Sequence, residues 1–173
     1  MTDTPAAPAP QEAPKDENAK LCKMLYGIFA FSMVLQFIDV LTIILGTAAI
    51  TAGIILAYME RKKATGTLYE NHLHWLIRTF WIGGAVYMPI TTVLGSTALI
   101  FLLDRSPIQE AMSTGDTDLQ TAIHAMLLKN HDLMYHTMLA FTLPFAVWWM
   151  WRCWYGYKRF KAGKTVPNVM SWF

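Results

Sequence analysis

The stretch "MLYGIFAFSMVLQFIDVLTIILGTAAITAGIILAYM", residues 24–59, decides the fold. It is a long apolar run that carries Gln36 and Asp39 near its middle. A membrane helix needs about 20 residues, so this run is too long for one upright crossing. A carboxylate at the bilayer centre costs at least about 2.5 kcal/mol even on the lenient insertion scale. A turn over Gln36 to Thr42 puts Asp39 at a membrane surface instead. The sequence therefore predicts a hairpin of two short helices, about 24–38 and 42–58. A single long, tilted helix is the alternative.

Two more apolar stretches follow, Trp75 to Leu103 and Leu133 to Trp151, the last with Pro144 as an expected kink. Lys and Arg collect on the cytoplasmic side of membrane proteins, and that rule selects the threading. With four spans and an inside N-terminus, twelve of the fourteen basic residues fall inside. They cluster at 15–23, 61–63, Arg78 and 152–164, leaving Arg105 and Lys129 outside. Three spans give nine inside and five outside at best. The expected fold is thus an all-α, polytopic membrane helix bundle with four transmembrane helices, both termini cytoplasmic, and one amphipathic extracytoplasmic helix.

Composition agrees. Apolar residues make up 54% of the 173 and charged residues 15%, a balance that leans towards a membrane protein. Seven Trp and seven Tyr suit membrane–water interfaces. A net charge of +2 is too small to suggest nucleic acid as a partner. Residues 1–20, "MTDTPAAPAPQEAPKDENAK", lack apolar mass and read as a disordered cytoplasmic tail. They lack a basic start and an early apolar core, so no signal peptide is expected there. Residues 21–157 form the transmembrane domain with an outer loop at 104–132, and 158–173 a cytoplasmic C-terminal segment. Cys22 and Cys153 belong to no CxxC motif, so neither a zinc site nor a disulfide framework is expected.

Within "NHLHWLIRTFWIGG", residues 71–84, Arg78 interrupts an aromatic, apolar run. Its long side chain can reach cytoplasmic headgroups while Phe80 and Trp81 sit in the aromatic belt. The sharper reading is a polar cluster of Glu60, Glu70, His72, Arg78 and Arg152 that joins spans at the inner surface. Gly46, Ala49, Gly53 and Ala57 recur every three or four residues and predict a close helix seam.

In the outer loop, Leu119, Ile123, Met126 and Leu127 fall on one face of a helix, a candidate partner-docking face. Covering its own bundle is the commoner use of such a face. Thr117 with Gln120 reads as its capping box. His124 and His131 share a helix face, as do Asp132 and His136, but the two faces diverge and no HExxH is present, so no metal is expected. A haem held by two histidines finds no convincing pair across spans. Phosphate-cradling Gly loops, nucleophile elbows and paired carboxylates are missing too, so no catalytic site and no cofactor are expected.

Two strings carry a family resemblance. "LAYMERKKATGTLYENHLHWLIRTFWIGG", residues 56–84, has an "AY" closing a span, a basic loop, and then His72, Ile77, Arg78, Thr79, Phe80 and Trp81. "VWWMWRCWYGYKRFKAGKTVPNVMSWF", residues 147–173, adds Arg152-Cys153, Gly156, Gly163, Pro167-Asn168 and Trp172-Phe173. Together they resemble a family of small, uncharacterised proteobacterial inner-membrane proteins sharing a domain of unknown function. That family is grouped distantly with the Tic import-channel component of chloroplasts. Asn71 stands where the family usually has serine, Leu76 where it has glutamine, and Val169 where it often has proline. The long outer loop is a departure. The resemblance implies a membrane fold and no activity. The expected role is an accessory or scaffolding subunit of a larger complex in the bacterial inner membrane, with lipid and other membrane-protein subunits as partners. A small oligomeric channel or transporter is the alternative, and a haem-binding or redox membrane subunit a further one.

Overall fold

A computed structural model of the chain describes residues 16–115 and 118–171, and all regular elements among them are helical. Helix α1 spans Asp16–Leu35 and α2 spans Val40–Lys63. Residues 36–39 break them, where the apolar run predicted a turn. Asp39 caps α2: its carboxylate accepts from the Thr42 N–H at 2.9 Å, and the Thr42 hydroxyl accepts from the Asp39 N–H at 3.0 Å. Such a cap is worth about 1 kcal/mol. The hairpin is therefore present, with longer helices than expected. Residues 16–20, assigned to the disordered tail, belong to α1, because Glu, Ala and Lys are good helix formers continuous with the apolar run. Residues 1–15 lie outside the described residues.

The predicted small-residue seam closes this hairpin. A Cβ on Gly46 would come within 3.0 Å of the Ser32 carbonyl oxygen, and one on Gly53 within 3.2 Å of the Ile28 side chain. Gly53 and Ala57 are buried with Gly46, while Ala49 is half-buried. On the far side of α2, Ile44, Leu45 and Ile55 stay exposed. A face of that kind is stable against hydrocarbon and costly in water.

Helix α3, Leu68–Trp81, runs through a π-helical segment, Ile82–Tyr87, into α4, Met88–Leu102. Pro89 stands in the first turn of α4. Proline lacks an N–H and collides with the carbonyl four residues back, and the wider π turn beneath it absorbs that conflict. The apolar stretch expected from Trp75 therefore belongs to a helix that starts at Leu68. Asn18–Leu35, Val40–Lys63 and Leu68–Leu102 are three helices long and apolar enough to cross a membrane.

Beyond them come α5, Ser106–Thr114, α6, Leu119–Lys129, and α7, His131–Lys161, which contains Pro144. The described residues divide into two compact units, one of residues up to 82 with those from 148 on, the other of residues between 83 and 147. In the first, α1, α2 and α3 pack on one another. The last part of α7 joins them through Trp149, which stacks on Phe29 with centroids 5.9 Å apart and donates to the Phe29 carbonyl at 2.9 Å.

In the second unit α5 packs on α6. The loop therefore holds two helices where one was expected, and Gly115, at φ 72°, ends the first. The α6 cap is Asp118, whose carboxylate accepts from the Thr121 N–H at 3.2 Å; Thr117, expected in the capping box, lies outside the described residues. Those Thr121 bonds hold the Asp118 carboxyl below its usual value. Asn130, 4% exposed, clasps the loop's two ends: its amide donates to the Asp104 carbonyl at 2.9 Å and accepts from the Asp104 N–H at 2.8 Å. Lys129 pairs with Asp104 at 2.7 Å beside it.

Candidate functional site

The polar residues of the first unit converge beneath a strap formed by residues 164–171. Helix α7 ends at Lys161, and two residues on Gly163 turns the chain with a φ of 65°, a left-handed value that favours glycine. The Lys164 N–H closes back on the Arg159 carbonyl at 3.0 Å, the six-to-one bond of a Schellman stop. The chain then reverses and lies on α3. Asn71 holds it with a reciprocal pair, donating to the Val166 carbonyl at 3.1 Å and accepting from the Val166 N–H at 2.7 Å. Val166 itself is buried.

His72 is fully buried below. Its Nε2 lies 3.0 Å from the Lys164 carbonyl, which can only accept, so Nε2 carries the proton. Nδ1 then accepts from the Tyr26 hydroxyl at 2.9 Å. Both ring nitrogens are thus engaged in joining α1, α3 and the strap. A metal or haem iron would have to break one of those bonds.

Deeper still lies Arg152, 0% exposed. Its Nε donates to the Thr79 hydroxyl at 3.0 Å, and its Nη1 to the Ser171 carbonyl at 2.9 Å. Trp75, also fully buried, offers its ring face 3.6 Å from the guanidinium carbon and donates its indole N–H to the Arg152 carbonyl at 3.1 Å. A second ring, Trp148, stands 5.3 Å away. Such faces stabilise a desolvated cation by about 2 kcal/mol. Gly156, one turn further on, makes room for this packing. A Cβ there would meet the Tyr26 hydroxyl at 2.5 Å and the Trp75 ring at 2.8 Å.

Arg78 grips the same strap one residue earlier, donating to the Met170 carbonyl at 2.6 Å. His72, Arg78 and Arg152 thus each bond a strap carbonyl, at Lys164, Met170 and Ser171. Glu60 and Glu70 are placed elsewhere. Glu60 pairs with Lys63 at 2.7 Å on its own helix, and Glu70 accepts from the Gly66 N–H at 2.7 Å, closing the turn before α3. Among the described residues, neither arginine has a carboxylate partner. Strap carbonyls take the place of the expected carboxylates. Sequence reasoning missed Asn71, Thr79 and Tyr26 as partners. Only the Gly163 stop, followed by Pro167, hinted that the tail turns back.

Other expected sites are placed as follows. Leu119, Ile123 and Leu127 are exposed on α6 and Met126 is half-buried, so that face does not cover a core of its own unit; Ala122 is the buried residue of that helix. His124 and His131 fall on different helices, because Asn130 caps α6, so they share no helix face. His136 hydrogen-bonds the Asp132 carbonyl at 2.7 Å. Among the described residues, no three His, Cys, Asp or Glu side chains gather as a metal site.

Fold and site define an all-α protein with three membrane-length apolar helices and an arginine site closed by its own C-terminal strap. No family model, curated protein or solved structure matches the chain.

Proposed function

We propose that the chain is an integral protein of the bacterial inner membrane that serves as an accessory or scaffolding subunit of a larger membrane complex, without catalytic chemistry of its own. In this reading it crosses four times, with α1, α2, the α3–α4 helix and α7 as spans. At 31 residues α7 is about 46 Å long, ample for a crossing. Its lower half is less apolar because it carries interfacial Trp and Tyr around Arg152. Asn18 and Leu21 of α1 share a small pocket with Glu60 and Lys63 of α2 and Tyr69 of α3, which supports one common basic end. That end is cytoplasmic by the charge rule. The two motif strings support membership in the small proteobacterial inner-membrane family.

The observation that carries the accessory role is the open apolar face of α6, with Leu119 57%, Ile123 39% and Leu127 42% exposed. Apolar anchors at such spacing fit a groove on another subunit. Native mass measurement after gentle extraction tests the proposal. A complex with other subunits is expected, and a ring of identical chains would favour the channel reading instead. Ile123→Glu with Met126→Glu should remove those subunits and leave thermal stability unchanged. Loss of stability with the subunits retained would contradict it.

A further inference from the structure

We infer that Arg78 and Arg152 together form a binding site for a phosphate oxyanion, supplied by the headgroup of an anionic membrane lipid. The inference rests on the membrane reading above and adds a ligand to it. Two guanidinium groups, neither of which can shed its charge in a protein, grip consecutive residues of the strap, Met170 and Ser171. They also act on consecutive residues of α3, since Arg152 bonds Thr79, the neighbour of Arg78. Each lies within Coulomb range of the other. All the partners they have among the described residues are neutral: two carbonyls, a hydroxyl, the Met170 thioether and aromatic faces.

Two buried donor atoms are left over, Arg78 Nε and Arg152 Nη2. An unpaired buried donor on a charged group is costly, and two like charges side by side raise that cost. A bridging oxyanion supplies what is missing in both respects, an acceptor for each N–H and a negative charge between two cations. Among the described residues no carboxylate pairs with either arginine, and Glu60 and Glu70 are bound elsewhere. The setting points to lipid as the source. Met170 and Trp81 are exposed beside Arg78, and Trp154, exposed on α7, has Lys158 over its ring at 5.1 Å. Exposed rings with basic residues are the habit of a headgroup level.

The test uses the full chain, stripped of lipid in a neutral detergent. Three probes are added separately: phosphatidylglycerol, phosphatidylcholine and inorganic phosphate. Native mass spectra count bound lipid, and thermal shifts report all three probes. One phosphatidylglycerol per chain is expected, held more tightly than phosphatidylcholine. Arg78→Gln removes the half-buried partner's donor and charge without emptying the buried core. It should weaken retention about tenfold or more, the loss of one charge-assisted hydrogen bond. Arg152→Lys keeps the charge and should weaken it as well. Stabilisation by inorganic phosphate alone, equal to that by lipid, would keep the oxyanion site and overturn its lipid source. Equal retention of phosphatidylglycerol by parent and Arg78→Gln would overturn the site. Failure of the membrane reading would show separately, as a chain that stays monomeric in buffer without detergent.

Discussion

Gly156 shows how far one residue sets the packing of the first unit. Its missing side chain lets the Trp75 ring and the Tyr26 hydroxyl meet α7 directly. Gly156→Ala forces two buried aromatic groups to move and should cost about 1–3 kcal/mol, read as a lower thermal midpoint in detergent. Gly27 is the control, since a Cβ there meets nothing within 4 Å. Gly27→Ala should be neutral or stabilising by up to about 1 kcal/mol, because alanine loses less backbone entropy on entering a helix. An equal loss in both variants would contradict the close-packing account. Residue identity alone made the two glycines look alike. The same limit applies to Arg78 and Arg152. Their types and spacing marked an inner-surface cluster, but their partners are backbone carbonyls, which every residue has and no side-chain pattern announces.

The turn at Asp39 is the local feature most legible in the chain. Asp39 was readable because a carboxylate inside an apolar run must find polar surroundings, and the cap it makes with Thr42 supplies them. The strap was illegible, since it has no periodicity and is held through its backbone by side chains of α3 and α7. Asn71 is the tie, through two hydrogen bonds to Val166. Asn71→Ala leaves both groups of Val166 without that partner and should cost about 1–3 kcal/mol, loosening the strap. Limited trypsin digestion should then cut after Lys164 faster than in the parent, and unchanged cutting would argue against the tie. At the outer loop, Lys129 and the Ser106 N–H hold the Asp104 carboxyl well below its ordinary value of 3.8. The folded state therefore favours the charged form, so the bridge stabilises above pH 3.8 and loses its effect as pH falls below it. Asp104→Asn should melt earlier than the parent at neutral pH, and the gap should close on acidification. A gap that stayed constant down to pH 2 would contradict the bridge.

For the whole molecule, the apolar runs made the helical class and its membrane-length helices legible, because burial in lipid demands long, uniform stretches. The loop was less legible. Its two helices are short, and a glycine stop at Gly115 divides what looked like one segment. Its open face on α6 could not be read from periodicity, which marks an apolar side without saying what covers it. The central claim is that the basic end of the chain faces the cytoplasm and the outer loop faces away, with four crossings between. Single cysteines settle this, since the native Cys22 and Cys153 are buried and give a low background. The measurement is labelling by an impermeant thiol reagent on inner-membrane vesicles oriented periplasm-out, with cysteines placed at the exposed Gln109 and Thr65. The account predicts that the residue 109 cysteine labels on intact vesicles and that the residue 65 cysteine labels only after detergent opens them. Labelling at residue 65 from outside would contradict it.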